Sequence, residues 1–360
     1  MGSDYLLCIC RIFLRIDILT MKIIADDNIP FLRGRLEGIA DVTYVDQFDF
    51  DRDTVRDADA LLIRTRTRCD SRLLEGSKVR MVATATIGTD QIDIPWCESH
   101  GIEVYSSPGC NAPGVAQYVW SALLRLGFDP AAGERLGVVG CGNIGSIVKA
   151  WARHLGAEVW VSDPPKERAG IPDNYHPLED ILRECRAVTF HTPLVSEGPD
   201  ATFHLAGKKE LELLDGSSIL VNASRGPVVD NRALLERLRR GNAPRTAIDV
   251  WENEPALDKE LLSLVDYGTF HIAGYSLEGK QRATRMILEA VEKTFGVEVD
   301  KSGLEPAFCL GDAPLPSAAR ILDSYDPGVD SEALKMAPDD FDILRRNYNY
   351  RHETQALALR

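Results

Sequence analysis

Residues 136–163 read LGVVGCGNIGSIVKAWARHLGAEVWVSD: an apolar run, a turn holding Gly140, Gly142 and Gly145, a stretch with apolar residues at helical spacing, and a second apolar run ending on Asp163. Each glycine answers a separate need. The first permits the tight turn, the second lets the backbone approach a pyrophosphate, and the third allows close packing of the helix, whose N-terminus attracts negative charge. Asp163 follows the last glycine by 18 residues, a position from which a carboxylate holds a ribose 2′-hydroxyl and repels a 2′-phosphate. The stretch predicts a dinucleotide-binding βαβ unit that takes NAD rather than NADP, with Arg168 the nearby group that would favour the phosphorylated cofactor. Glycines placed only for a tight turn would leave Asp163 without a reason.

The same rhythm extends in both directions. Before the fingerprint, MKIIADD (21–27), VTYVDQF (42–48), ALLIRT (60–65), MVATATIGT (81–89) and IEVYSSP (102–108) are strand-like runs separated by polar or glycine-containing segments. After it, AVTFHTP (187–193), SILVNAS (218–224) and TAIDV (246–250) are continuous apolar runs, as strands buried on both faces of a parallel sheet require. QYVWSALLRLGF (117–128) reads as a helix, and LEGKQRATRMILEAVEKTFG (277–296) keeps helical spacing over about five turns.

The chain is therefore expected to be α/β, with two doubly wound parallel-sheet domains. A Rossmann-type NAD domain spanning 113–279 is inserted into a discontinuous substrate domain made of 21–112 and 280–299. Pro306, Pro314, Pro316 and Pro327 crowd the region beyond Val299, so 300–360 is expected as a small C-terminal subdomain that serves an oligomer contact. Met21 opens a much better strand than anything before it, and residues 1–20 are read as an extension without an assigned role.

Composition narrows the function classes. A net charge of -14 opposes binding to nucleic acid or anionic lipid, which draws most of its free energy from neutralised phosphates. An anionic substrate then needs a local cluster of Arg or Lys. The eight cysteines, at 8, 10, 69, 97, 110, 141, 185 and 309, are too scattered for a zinc pattern or a small disulfide framework, so reduced thiols, a cytoplasmic setting and no metal are expected. Arg11, Arg15 and Asp17 interrupt the apolar stretch from Tyr5 to Leu19, which fits neither a membrane span nor a signal segment.

Three later segments are read as strands that deliver polar groups to one edge: SILVNASRG brings Arg225, TAIDVWENEP brings Asp249 and Glu254, and GTFHIAGY brings His271. The carboxyl ends of strands in a doubly wound sheet converge on the ligand crevice. Oxidising a secondary alcohol needs a base for the hydroxyl proton while hydride leaves, and His suits that task near neutral pH. Glu254 would orient the imidazole and favour its protonated form. Arg225 could clamp a substrate carboxylate through two parallel hydrogen bonds. Alone, each residue type is commoner on a solvated surface or in a structural role; it is their grouping downstream of a cofactor fingerprint that points to hydride transfer. The remaining histidines lack comparable settings, although His191 in FHTPL lies near the expected cofactor edge.

With VVGCGNIG, the Asp163 position, NASRGPVVD, DVWENEP and HIAGY in place, the chain resembles the D-isomer-specific 2-hydroxyacid dehydrogenases from about Met21 to Val299, with a weaker echo in FDILRRNYNYR (341–351). ATATIGTD, SSPGCNAPGVAQYV, TFHTPL and HIAGYSLEGK resemble the branch that acts on a phosphorylated four-carbon acid. The resemblance implies Arg225, Glu254 and His271 as the catalytic set, with His271 as proton donor and acceptor. It implies cofactor contacts from Asn143, Ile144, Thr192, Ala223, Ser224, Asp249 and Gly274 beside the three glycines and Asp163. Substrate contacts are implied for Thr65, Thr86 and Tyr275, and a phosphorylated substrate makes sense of IRTRTR, where Arg64, Arg66 and Arg68 concentrate positive charge. The implied reaction is oxidation of 4-phospho-D-erythronate at C2, within vitamin B6 synthesis, by a homodimer. Ser146 departs from the Arg common in relatives after the third glycine. Two other readings stay open on the residues: a dehydrogenase of 3-phosphoglycerate or glycerate, and an NAD(H)-sensing binding protein.

Overall fold

The computed structural model describes residues 21–312 and 315–354; the extension assigned to 1–20 lies outside them. The described residues form two compact units, one containing residues 21–110 with Glu278–Phe308, the other Asn111–Leu277 with the described residues from Cys309 on.

The first unit is built on a five-stranded parallel sheet, β1 (Lys22–Asp26), β2 (Asp41–Val45), β3 (Ala60–Ile63), β4 (Met81–Thr84) and β5 (Glu103–Tyr105), in the order β2-β1-β3-β4-β5. Successive residues of a strand face opposite sides, and β3 shows it directly. Ala60 and Leu62 join a cluster with Ile287, Leu288 and Val291 of the helix Leu277–Phe295, while Leu61 and Ile63 join Leu73, Leu74 and Cys97 on the other face. Both faces are covered, which is why β3 and β4 are buried along their whole length.

The second unit holds a six-stranded parallel sheet: β6 (Arg135–Val139), β7 (Glu158–Ser162), β8 (Ala187–Phe190), β9 (Ile219–Asn222), β10 (Arg245–Ile248) and β11 (Tyr267–Gly268), in the order β11-β10-β9-β8-β6-β7. Outside β7 a further strand position is reduced to one parallel bridge, Val161 to Tyr175. The chain reverses its direction of winding between β6 and β8, and the carboxyl ends of those strands open the crevice where ligands bind in such sheets.

The helix Ala112–Arg125 is buried from Ala112 through Leu123, and Trp120 donates its indole N–H to Val148 O at 3.2 Å. The segment beyond Cys309 carries the helices Ala318–Ser324, Pro327–Met336 and Phe341–Arg346. It does not stand apart from the second unit: Leu334 and Phe341 are fully buried in one cluster with Trp251 and Phe270, and Ser331 Oγ accepts from Gly268 N at 2.9 Å. The expected strand GTFHIAGY is a correction to the sequence reading. The sheet ends at the two-residue β11, and the seven residues after Gly268 run through bends and a turn. The six described cysteines are free thiols. Among the described residues no helix is long and apolar enough to cross a membrane.

Candidate active site

The glycine turn is closed by backbone. Gly140 has φ +85, and a Cβ there would lie 2.9 Å from His191 C and 3.0 Å from Thr192 Cγ2. A Cβ on Gly145 would lie 2.1 Å from Gly140 O. Gly142, exposed and with open space around it, caps the helix Asn143–Leu155 without a side-chain bond, leaving the first-turn N–H groups of Asn143 and Ile144 unused by the helix. Asp163 takes Cys141 N at 2.8 Å on one oxygen and Lys166 N at 3.2 Å on the other. Its carboxylate therefore pins the turn as well as ending β7.

Lys166 Nζ donates to Cys141 O, while Arg168 is engaged with Asp200 at 2.6 Å. Ser146 donates to Cys141 O at 3.1 Å and so braces the turn from inside. Across the crevice, Thr192 Oγ1 is buried and has no protein partner. His191 is fixed through Thr189 Oγ1 at 3.0 Å, and burial pushes its imidazolium down to about 3, so the ring is neutral. A cradle that a Cβ would fill and an orphaned hydroxyl facing it fit a dinucleotide.

The chemical groups stand on the loops after β9, β10 and β11. Asn222, at the end of β9, accepts Ser224 N and Oγ on its Oδ1 and donates to Arg225 O at 3.1 Å. Ala223 and Ser224 are buried behind Arg225. A Cβ on Gly226 would sit 2.0 Å from Trp251 O, so the loop carrying Arg225 touches the backbone that leads to Glu254. His204 ties the same two loops, with Nε2 at 2.9 Å from Glu252 Oε1 and Nδ1 at 3.5 Å from Asp230 Oδ2.

Glu254 accepts Trp251 N at 2.8 Å on Oε1 and meets His271 Nδ1 at 2.8 Å on Oε2. Burial works to raise the Glu254 pKa, but the neighbouring His271 and the Trp251 N–H outweigh it and hold the carboxyl below its ordinary range. The contact at Nδ1 leaves Nε2 as the ring nitrogen not engaged with Glu254, on a side chain that is 32% exposed.

His271 itself lies at φ +58, a conformation uncommon outside Gly, although Asn, Asp and His adopt it more readily than other residues. What holds it there is Asp249, 1% exposed. Asp249 O takes His271 N, its Oδ1 takes Thr269 Oγ1 at 2.6 Å and Ile272 N at 2.8 Å, and its Oδ2 takes Ala273 N at 2.8 Å. Tyr118 reaches Thr269 Oγ1 at 2.9 Å from beneath. A Cβ on Gly274 would lie 2.0 Å from Asn111 Nδ2. Tyr275 packs edge-on against Tyr348 and Tyr350, with Arg345 over its ring at 5.3 Å.

In the first unit, Arg64, Thr65 and Thr86 follow β3 and β4 at the carboxyl edge of that sheet. Gln91 links them, donating to Arg64 O at 3.0 Å and to Thr84 Oγ1 at 3.4 Å, while Thr84 and Thr86 share a hydroxyl contact of 2.6 Å. Asp26, fully buried at the end of β1, has an Oδ2 without a protein partner. Burial raises its pKa, with Asn28 N–H and the Arg64 charge opposing. The basic run divides: Arg64 lies by Asp26, whereas Arg66 and Arg68 line a cavity of about 410 Å³ with Arg52 and Arg72, and Arg68 pairs with Asp70 at 3.0 Å.

Residues 115–272 match the model of the D-isomer specific 2-hydroxyacid dehydrogenase NAD binding domain. An erythronate-4-phosphate dehydrogenase of Bacteroides fragilis is 46% identical over 348 residues, covering 94% of this chain and 99% of the relative. The chain belongs to the erythronate-4-phosphate dehydrogenase family. The Escherichia coli member is 40% identical over 94% of this chain and 93% of its own. Among solved structures, a D-lactate dehydrogenase of Aquifex aeolicus with NAD and lactic acid aligns with a TM-score of 0.64 at 22% identity, covering 76% of this chain and 95% of that one. A 3-phosphoglycerate dehydrogenase of Entamoeba histolytica with bound NAD+ aligns at 0.64 and 24%, covering 77% and 97%. These two share the fold. The sequence alone did not point to the residues that brace the turn after β11, namely Tyr118, Thr269 and Arg351. Gly226, next to Arg225 in the quoted NASRG, was the one local signal that two loops meet.

Proposed function

We propose that the chain oxidises 4-phospho-D-erythronate at C2 to (R)-3-hydroxy-2-oxo-4-phosphooxybutanoate in vitamin B6 biosynthesis, with NAD as oxidant. The observation that carries the chemistry is the 2.8 Å contact between Glu254 Oε2 and His271 Nδ1, because it presents His271 Nε2 as a base of fixed orientation. In the forward direction Nε2 takes the proton of the C2 hydroxyl, and Glu254 stabilises the imidazolium that forms. Bound NAD supplies the acceptor for the hydride that leaves C2. Arg225 holds the substrate carboxylate and draws electron density from the carbonyl as it forms. The glycine turn with Asn143, Ile144, Asp163 and Thr192 holds the cofactor, with Ala223, Ser224 and Gly274 contributing backbone and small side chains. Asp249 acts through the turn it secures, which carries His271.

Arg64, Thr65, Arg66, Thr86 and Tyr275 are assigned to the substrate, with the positive charge of Arg64 and Arg66 suited to a phosphate. Of the two arginines, Arg64 is better supported, since it stands at the edge where the first sheet changes direction, between β1 and β3. The substrate role of the first unit and the NAD role of the second follow from these assignments. Exposed Val329, Met336 and Ile343 on the C-terminal helices support a homodimer, and free thiols suit a cytoplasmic enzyme.

The test is NADH formation by purified protein with 4-phospho-D-erythronate, 3-phosphoglycerate, D-glycerate and D-lactate, and NADH consumption with the matching 2-oxo acids. A clear preference for the phosphoerythronate is expected. Preference for another acid would keep the mechanism and discard the substrate, and tight NADH binding without turnover would favour a sensor. Arg225→Lys is expected to lose most of the turnover, since an ammonium cannot reproduce the planar fork.

A further inference from the structure

The turn that carries His271 is gripped from two sides by groups far apart in sequence. Asp249 receives the N–H groups of Ile272 and Ala273. The carbonyls of the same two residues point the other way, to Arg351. Its Nη1 donates to Ile272 O at 3.0 Å and to Tyr275 O at 3.4 Å, and its Nη2 donates to Ala273 O and, at 3.0 Å, to Gly114 O. Nε donates to Gln117 Oε1 at 3.0 Å, and the guanidinium lies over the Tyr325 ring at 4.3 Å. Backbone pairing holds the segment in register, with Leu277 N donating to Arg351 O at 2.9 Å and a parallel bridge between Ser276 and Arg351.

The Ile272–Ala273 peptide group therefore stands between a carboxylate at its N–H end and a guanidinium at its C=O end, and the peptides on either side of it are each held by one of the two charges. Oriented peptide dipoles between opposite charges stabilise both charges and fix the peptides' direction, which lessens the penalty for removing each ion from water. Arg suits the task because its planar head offers five donors in fixed directions. The gripped residues follow His271 directly and include Ala273, next to Gly274, and Tyr275. A shift of this turn would move the base and two of its neighbours together.

We infer that Arg351 is a positioning residue for the hydride-transfer site, forming with Asp249 a two-sided clamp on the peptides after His271. The C-terminal segment thereby becomes part of the catalytic apparatus without touching substrate. The inference rests on the functional reading for its effect on turnover, but not for its effect on the turn.

The experiment compares the full-length wild type with Arg351→Lys, which keeps the cation but not the fork, and Arg351→Met, which removes it. Three quantities are read: NADH affinity by fluorescence, kcat/KM for the acid that the wild type prefers, and amide hydrogen exchange of the peptide covering 269–276. For Arg351→Lys the expected result is a fall in kcat/KM of about 10- to 100-fold, the size of effect that a displacement of about an ångström brings. Exchange at Ile272 and Ala273 should quicken about tenfold, with NADH affinity changed by less than about threefold, because the glycine turn is held independently. A merely structural role would lower thermal stability and leave kcat/KM and local exchange of the folded protein near wild type. That outcome in Arg351→Lys overturns the inference even if Arg351→Met fails to fold. A wild type that turns over none of the acids counts against the functional reading alone, since the exchange measurement still decides whether Arg351 holds the turn.

Discussion

Around Gly140 and Gly145 the structure is held by main chain against main chain, whereas around His271 it is held by side chains that arrive from elsewhere. In the first region a Cβ would strike backbone within about one turn or across the crevice, and removing side chains is itself the device. In the second, an unfavourable backbone angle at His271 persists because Asp249, Thr269 and Arg351 over-determine it. The difference teaches that the glycine turn and the turn carrying His271 have separate supports; with the proposed roles, each is expected to loosen without the other.

The largest effect that would sharpen this contrast is His271→Ala. Turnover should fall about 10²- to 10⁴-fold, the usual share of a general base, with NADH affinity by fluorescence almost unchanged; a comparable loss of affinity would break the contrast. Gly145→Ala should do the reverse. Its methyl group must displace Gly140 O, and backbone shifts of this kind cost about 1–3 kcal/mol, so the NAD dissociation constant should rise about 10- to 100-fold while turnover at saturating NAD changes less. Asp163→Ala removes the acceptor of Cys141 N and the cap of the short helix Pro164–Arg168. Weaker NAD binding and about 1 kcal/mol of lost stability are expected, checked by titration and denaturant unfolding.

Thr269→Val is subtler. It removes one hydroxyl from the chain Tyr118–Thr269–Asp249 and should cost about 1 kcal/mol, with turnover reduced more than NADH affinity.

The smallest expected effect concerns pH. Because Glu254 is held below its ordinary value of 4.5, the folded chain binds fewer protons there than the unfolded chain. Its contribution to stability is therefore complete above 4.5 and is lost as the pH falls through the lower folded value. Following the melting temperature downward from neutral pH, Glu254→Gln should remove part of the acid-side decline, and an unchanged decline would show that other carboxylates dominate.

The same contrast explains what could be read from the amino-acid sequence. The glycine turn, Asp163 and the buried strands are encoded by residue type at short spacing, so the two parallel sheets and the cofactor site were legible. Glu254 and His271, expected together because strand ends converge in such sheets, meet at 2.8 Å. The brace around His271 was not. Asp249 was taken for a cofactor contact, and its carboxylate lies under the turn instead, hydrogen-bonded to Thr269, Ile272 and Ala273. GTFHIAGY looks like a strand because Phe270 and Ile272 alternate with polar residues, but peptides captured by Asp249 cannot also join a sheet. Arg351 sits in a polar, tyrosine-rich stretch whose pattern says nothing about its partners nearly eighty residues earlier. The crowding of prolines suggested a separate C-terminal piece, although Leu334 and Phe341 complete the core of the second unit.

The discontinuity of both units bears on how the protein comes into being. On the ribosome, the strands β1 to β5 emerge long before Ile287, Leu288 and Val291, which cover one face of their sheet. The glycine turn likewise emerges well ahead of Phe341 and Arg351. Domains of most nascent chains close one after another as they appear, but here neither unit can close until a segment far downstream of its sheet has emerged. A chain stalled before Arg351 would carry Arg225, Glu254 and His271 and lack the guanidinium that holds the carbonyls of Ile272 and Ala273.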